Sequence, residues 1–127
     1  MASRVAGYPP CVTPAHRGEP APRGQVTSDR SGGELSIGVS GDLDMLTSPS
    51  VERRIVDLIA RDGVADVRID LSGVGFFDSA GVRALVVAKQ EASRRHLPLR
   101  VTAASAQCRR VLEVSGLDSM FDLRPAD

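Results

Sequence analysis

Two stretches of the chain alternate apolar and polar residues, and each hands over to a segment with helical spacing. In ELSIGVSGDLD, which starts at Glu34, the residues Leu35, Ile37 and Val39 fall on one side and Ser36, Gly38 and Ser40 on the other. In DVRIDLSG, which starts at Asp66, Val67, Ile69 and Leu71 oppose Arg68, Asp70 and Ser72. A period of two marks a strand buried on one face. After the first stretch, Val51, Ile55, Leu58 and Ile59 recur at one-face helical spacing. Ser48 and Pro49 open that helix as a capping hydroxyl and a first-turn proline, and Asp62-Gly63 closes it. After the second stretch, helical spacing begins at Ser79, with Val82, Leu85, Val86 and Ala92 on or near one face. Arg94, Arg95 and His96 complement its C-terminal dipole, and Pro98 ends it. Strands joined through helices run parallel and cross over right-handed.

The flanks complete the pattern. A short strand is expected at Gln25 to Thr27, then a loose polar stretch from Ser28 to Gly33 whose Gly32-Gly33 suits a hairpin turn. Asp42 and Asp44 fall in the loop that follows the first alternating stretch, Ser72-Gly73 reads as the turn ending the second, and Phe76 and Phe77 anchor the connection. LRVT, from Leu99, is a further strand. Ser105 caps a last helix with Cys108, Val111 and Leu112 inward, and Gly116 suits a left-handed C-cap with Leu117 behind it. Met120 to Leu123 read as a final strand. The expectation is one small α/β domain over residues 25–124, ordered strand, strand, helix, strand, helix, strand, helix on a mixed or parallel sheet. Residues 1–24 hold five of the eight prolines and few clustered apolar groups, so they read as a disordered tail.

Composition removes several function classes. At 127 residues there is room for one core, and sixteen bases balance sixteen acids, so no net charge draws the chain to nucleic acid or membrane. Tyr8, Phe76, Phe77 and Phe121 are the aromatic residues, too few for a base-stacking platform. Cys11 and Cys108 form neither a metal spacing nor a disulfide framework. The apolar run Ala84 to Ala88 falls far short of the ~20 residues of a membrane span. No apolar segment follows the scattered N-terminal bases, so a secretory signal is not expected and a cytoplasmic location is.

Enzymatic constellations are also missing. Two positions before Ser79 stands Phe77, which breaks the G-x-S-x-G nucleophile elbow, although Gly81 completes its second half. His16 lies in the tail and His96 at a basic helix end, so neither is placed as a general base. Gly73-Val74-Gly75 runs into two phenylalanines and makes no phosphate loop. A phosphoacceptor Asp70 in the manner of a response-regulator receiver would need a lysine at a later strand end, whereas Lys89 sits mid-helix. No catalytic residue, cofactor or metal is therefore expected.

Ser79 is the remaining candidate. At a strand-to-helix turn its hydroxyl is expected to be exposed beside unpaired backbone N–H groups at the positive end of the helix, where a phosphate would be well received. The plainer alternative is that Asp78 or Ser79 simply caps the helix. Spacing leaves both open.

GFFDSAGVRALV, with VSGDLDMLTSPSV upstream and VLEVSGLDSMFDL downstream, resembles the anti-sigma factor antagonists of the STAS domain family over about residues 25 to 124. Asp78, Ser79, Ala80 and Gly81 match, in order, the family's apolar-Asp-Ser-small-Gly run. The resemblance implies that Ser79 is phosphorylated by a partner that is both anti-sigma factor and serine kinase. It also places Asp44, the aspartate of the G-x-L-D loop, near that serine. Ala80 replaces a second serine common in the family, and Arg83 stands where a small or apolar residue is usual. Arg83 lies one turn beyond Ser79 on the same helix face, so it is expected to pair with a phosphoserine or a partner's acidic patch, or to be simply solvated. The partner-binding surface implied is Asp44, Asp78, Ser79, Ala80, Gly81 and Arg83. A phosphoserine phosphatase would reverse the modification. The rival readings are a STAS module of a stressosome-like or lipid-transporter assembly without a phosphoswitch, and a small-molecule or nucleotide sensor.

Overall fold

A computed structural model describes residues 24–123; residues 1–23 of the expected tail, with Cys11 and His16, and the expected domain end at Arg124 lie outside them. The elements are β1 (Gln25–Ser31), β2 (Glu34–Leu43), α1 (Ser48–Ile59), β3 (Asp66–Phe77), α2 (Ser79–Arg94), β4 (Leu99–Ala104) and α3 (Ala106–Val114). The sheet runs in chain order, β1-β2-β3-β4, with β1 antiparallel to β2 and the other two pairs parallel. Because successive right-handed crossovers step the same way along the sheet, their helices fall on one face. Leu35, Ile37 and Val39 of β2 and Val67, Ile69 and Leu71 of β3 point to that side. There they join Ile55 of α1, Leu85 of α2 and Leu112 of α3 in a single core. The other face presents Ser36, Asp70 and Thr102 to solvent, and Arg68 there bridges Glu34 at 3.0 Å and Asp66 at 3.1 Å. One-sided burial is why the parallel strands alternate instead of reading as continuous apolar runs.

Several boundaries differ from the sequence reading. Ser28 to Ser31 belong to β1, paired through Ser31↔Glu34, so the hairpin loop is Gly32-Gly33 alone. An edge strand is held by its main chain and leaves polar side chains in water, which removes the apolar signal. β3 does not stop at Ser72-Gly73 but runs on to Phe77. The pairing skips from Gly38↔Asp70 to Ser40↔Gly73, so a bulge absorbs the extra residue and the inward parity moves from Leu71 to Val74. A second irregularity, before Leu43↔Phe77, moves it again and buries Phe77 while leaving Phe76 exposed. Phe76 therefore does not anchor the connection; Phe77 does.

Met120 to Leu123 form turns instead of a strand. Phe121 N–H bonds Leu117 O and Leu123 N–H bonds Asp118 O, while Phe121 O accepts from Val101 N–H at 2.9 Å. Phe121 and Leu123 are nonetheless buried. Helices α2 and α3 end in the same kind of cap. Leu97 N–H reaches Ala92 O over His96 (φ 60°), and Leu117 N–H reaches Leu112 O over Gly116 (φ 73°). Arg94 and Arg95 both bond Glu91 at 2.6 Å, and the Arg95 hydrogen bond, with both guanidinium charges, holds that carboxyl below its usual range. Cys108 is buried, and desolvation pushes its thiol pKa up despite a contact with Ser105. Among the described residues no helix is long and apolar enough to cross a membrane, and no cluster of metal-ligating side chains occurs.

Candidate functional site

β2 and β3 are adjacent, parallel and in register at Leu43↔Phe77, so the segments leaving them, Asp44 and Asp78 onward, emerge side by side. Asp42, which lies in β2 and not in the following loop, ties the two strand ends together: its Oδ1 accepts from Phe76 N–H at 3.0 Å.

The four-residue link from β2 to α1 is folded by Asp44. Its Oδ1 accepts from Leu46 N–H and Thr47 N–H, each at 2.9 Å, and Thr47 Oγ1 donates to Asp42 O at 2.7 Å. Thr47, rather than Ser48, is the residue at the helix cap, and its hydroxyl is already engaged with the loop. Ser48 is drawn inside, where its Oγ has no hydrogen-bond partner. The turn Asp44 makes pushes Met45 and Leu46 outward at 76% and 77% exposure. The two apolar side chains stand beside the strand ends, on the same edge of the sheet as the start of α2. Sequence reasoning missed them, because a Met-Leu pair in a loop looks the same whether it faces core or solvent.

Asp78 settles which residue caps α2. With φ −128° and ψ −164°, its carboxylate accepts from Ala80 N–H at 2.9 Å and Gly81 N–H at 3.4 Å. Two of the N–H groups that the sequence leaves open to a phosphate are thereby taken. Ser79 is the first helical residue; it is exposed, and its hydroxyl makes no hydrogen bond to another described residue. Ala80 is half-buried beside it.

Gly81 is buried, and its contribution is packing. A Cβ there would stand 2.7 Å from two ring carbons of Phe77 and 3.3 Å from Leu43 Cβ. The glycine lets the first turn of α2 sit directly on the ends of β2 and β3. Arg83 is 77% exposed with its Nε 3.8 Å from Oε1 of Glu52 on α1, a residue the sequence reading did not select. The candidate site is therefore an exposed hydroxyl on the first residue of α2, next to the Asp78 cap, at the end of the sheet where the Asp44 loop and its Met45-Leu46 tip leave β2. His96 lies beyond the opposite end of α2.

The fold has known counterparts. The profile of the family described as "Mlab, STAS domain" matches residues 26–125, and the chain belongs to the STAS domain family. It is 32% identical over 98 residues to the anti-sigma-F factor antagonist RsfB of Mycobacterium tuberculosis, covering 77% of this chain and 79% of the relative. Against the anti-sigma-B factor antagonist of Listeria monocytogenes it is 27% identical over 96 residues, covering 76% and 83%. The crystal structure of an anti-sigma factor antagonist from Mycobacterium paratuberculosis superposes with a TM-score of 0.70 at 30% identity, over 81% of this chain and 86% of that one.

Proposed function

We propose that this chain is an anti-sigma factor antagonist controlled by phosphorylation of Ser79. The observation that carries the reading is the division of labour at the β3–α2 turn. Asp78 supplies the cap that either residue could have supplied, and this leaves Ser79 exposed with a free hydroxyl. The names of these relatives, all anti-sigma factor antagonists, supply the partner class.

In this reading the unmodified protein docks its strand-end surface on an anti-sigma factor and releases a sigma factor. Met45 and Leu46 are the apolar anchors, and Asp44 holds the loop that presents them. The same partner, acting as a serine kinase, holds ATP. Ser79 Oγ attacks the γ-phosphorus, the bond to the β-phosphate oxygen breaks, the hydroxyl proton passes to a base of the kinase, and ADP leaves. This chain presents the hydroxyl and carries out no chemistry of its own. The product adds about −1.5 to −2 charges beside Asp78 and Asp44, and like charge in a desolvated interface weakens docking. A phosphoserine phosphatase then restores the docking form.

The test is intact mass and phosphosite mapping after incubation with ATP and each anti-sigma kinase of the source genome, alongside Ser79→Ala. A single phosphate on Ser79, absent from the variant, with affinity for the kinase lowered at least tenfold, is the expected result. Unmodified protein with every kinase, or equal affinity before and after modification, would overturn the reading in favour of a STAS module serving another assembly.

A further inference from the structure

A phosphate on Ser79 stands next to the Asp78 carboxylate that caps the same helix. Asp78 precedes it in the chain, Asp42 and Asp44 close the end of β2 and its loop, and Glu52 faces α2 from α1. The amides of Ala80 and Gly81 are bonded to the Asp78 carboxylate. The cation one turn away on the same helix is Arg83. At four residues' spacing it shares a face with Ser79, and helical side chains lean toward the N-terminus, which carries the guanidinium back over the turn holding Ser79.

Arg83 is held by a weak contact. Its Nε stands 3.8 Å from Glu52 Oε1, longer than a charge-assisted hydrogen bond, and its side chain is 77% exposed. Such surface pairs contribute little and are easily exchanged. A dianion within reach offers the guanidinium fork a shorter, bidentate partner.

We propose that Arg83 is a phosphate clamp kept in reserve by Glu52. When Ser79 is modified, the guanidinium leaves Glu52 and closes on the phosphate, and the Glu52 carboxylate is uncovered on α1. The inference rests on Ser79 being the phosphoacceptor. The exchange alters the docking surface on two helices at once. It partly neutralises the phosphate on α2, and it exposes a new negative charge on α1 where the partner would lie. It also shields the phosphoester, which lengthens the life of the modified state.

The experiment installs phosphoserine at position 79 during translation, so that its outcome does not depend on any kinase. The apparent second pKa of the phosphate is then read by 31P NMR at low salt in four proteins: the parent, Arg83→Gln, Glu52→Gln and the double variant. Arg83→Gln is expected to raise the value by about half a unit, and Glu52→Gln to lower it by a similar amount. The decisive comparison is between backgrounds. If Glu52 acts by holding Arg83, most of the Glu52→Gln shift vanishes when Arg83 is already Gln. An equal Glu52 shift in both backgrounds, or no change on losing Arg83, would overturn the clamp. A working clamp in a protein that no kinase modifies would leave the clamp standing and count against the proposed function alone.

Discussion

Replacing Gly81 with alanine sets two opposing effects against each other at the base of the site. Gly81 is the third residue of α2, and alanine there lowers the entropic cost of helix formation by roughly 0.5–1 kcal/mol. Against this, the new methyl would lie 2.7 Å from Cδ1 and Cε1 of Phe77. The ring cannot retreat, because Phe77 is buried in the core, and Leu43 Cβ at 3.3 Å blocks the methyl on another side. Relief requires α2 to lift from the strand ends or Phe77 to leave its rotamer. Overpacking of this kind costs about 1–3 kcal/mol. The net expectation is a loss of about 1 kcal/mol, or ~4–8 °C in Tm for a domain of this size. The chain has no tryptophan, so urea unfolding should be followed by far-UV circular dichroism. Phe77→Leu in the same protein removes the clashing ring carbons, so the Gly81→Ala cost should shrink in that background. A Gly81→Ala protein as stable as the parent or more so would refute the reasoning, because propensity would then outweigh a contact that is not rigid.

The cap and the apolar tip give separable expectations. Asp78→Ala should lose about 1 kcal/mol as two helix N–H groups lose their acceptor, whereas Asp78→Asn, an equally good cap, should keep stability to within a few tenths of a kcal/mol, both measured by urea midpoint. Leu46→Ser should leave the midpoint unchanged within about 0.5 kcal/mol, because the side chain is exposed, yet weaken binding to the anti-sigma partner about tenfold or more in a titration calorimeter.

Elements whose signals are local are legible in the amino-acid pattern. The one-sided strands show themselves by alternation, α3 by its Ser105 hydroxyl and its Gly116 stop, and the helix starting at Ser79 by a change of period. Each depends on residues within one or two turns. Pattern misleads where an element depends on a neighbour. The β1 residues Ser28 to Ser31 are strand because β2 lies beside them, and β3 passes through Ser72-Gly73 because a bulge against β2 absorbs the extra residue. Ser48 reads as a cap from its place before Pro49, but Asp44 and Thr47 tighten the loop one residue earlier and draw Ser48 inside. His96 stands where a glycine is usual, because the cap bond from Leu97 to Ala92 holds it at positive φ.

The candidate site divides the same way. Its chemistry is written in the sequence: a hydroxyl next to an acid and a small pair, Asp44 in an acidic loop, Arg83 four residues on. The tertiary structure decides which of Asp78 and Ser79 is structural, since a cap is fixed by which carboxylate or hydroxyl meets the helix N–H groups. It decides that Gly81 is there for Phe77 and Leu43, that Met45 and Leu46 face solvent, and that Arg83 is shared with Glu52. Local pattern fixes what a residue is able to do within its own helix or strand. Two parallel strands ending in register bring the segments that lead into the two helices side by side, and only that places the candidate residues at one end of the sheet.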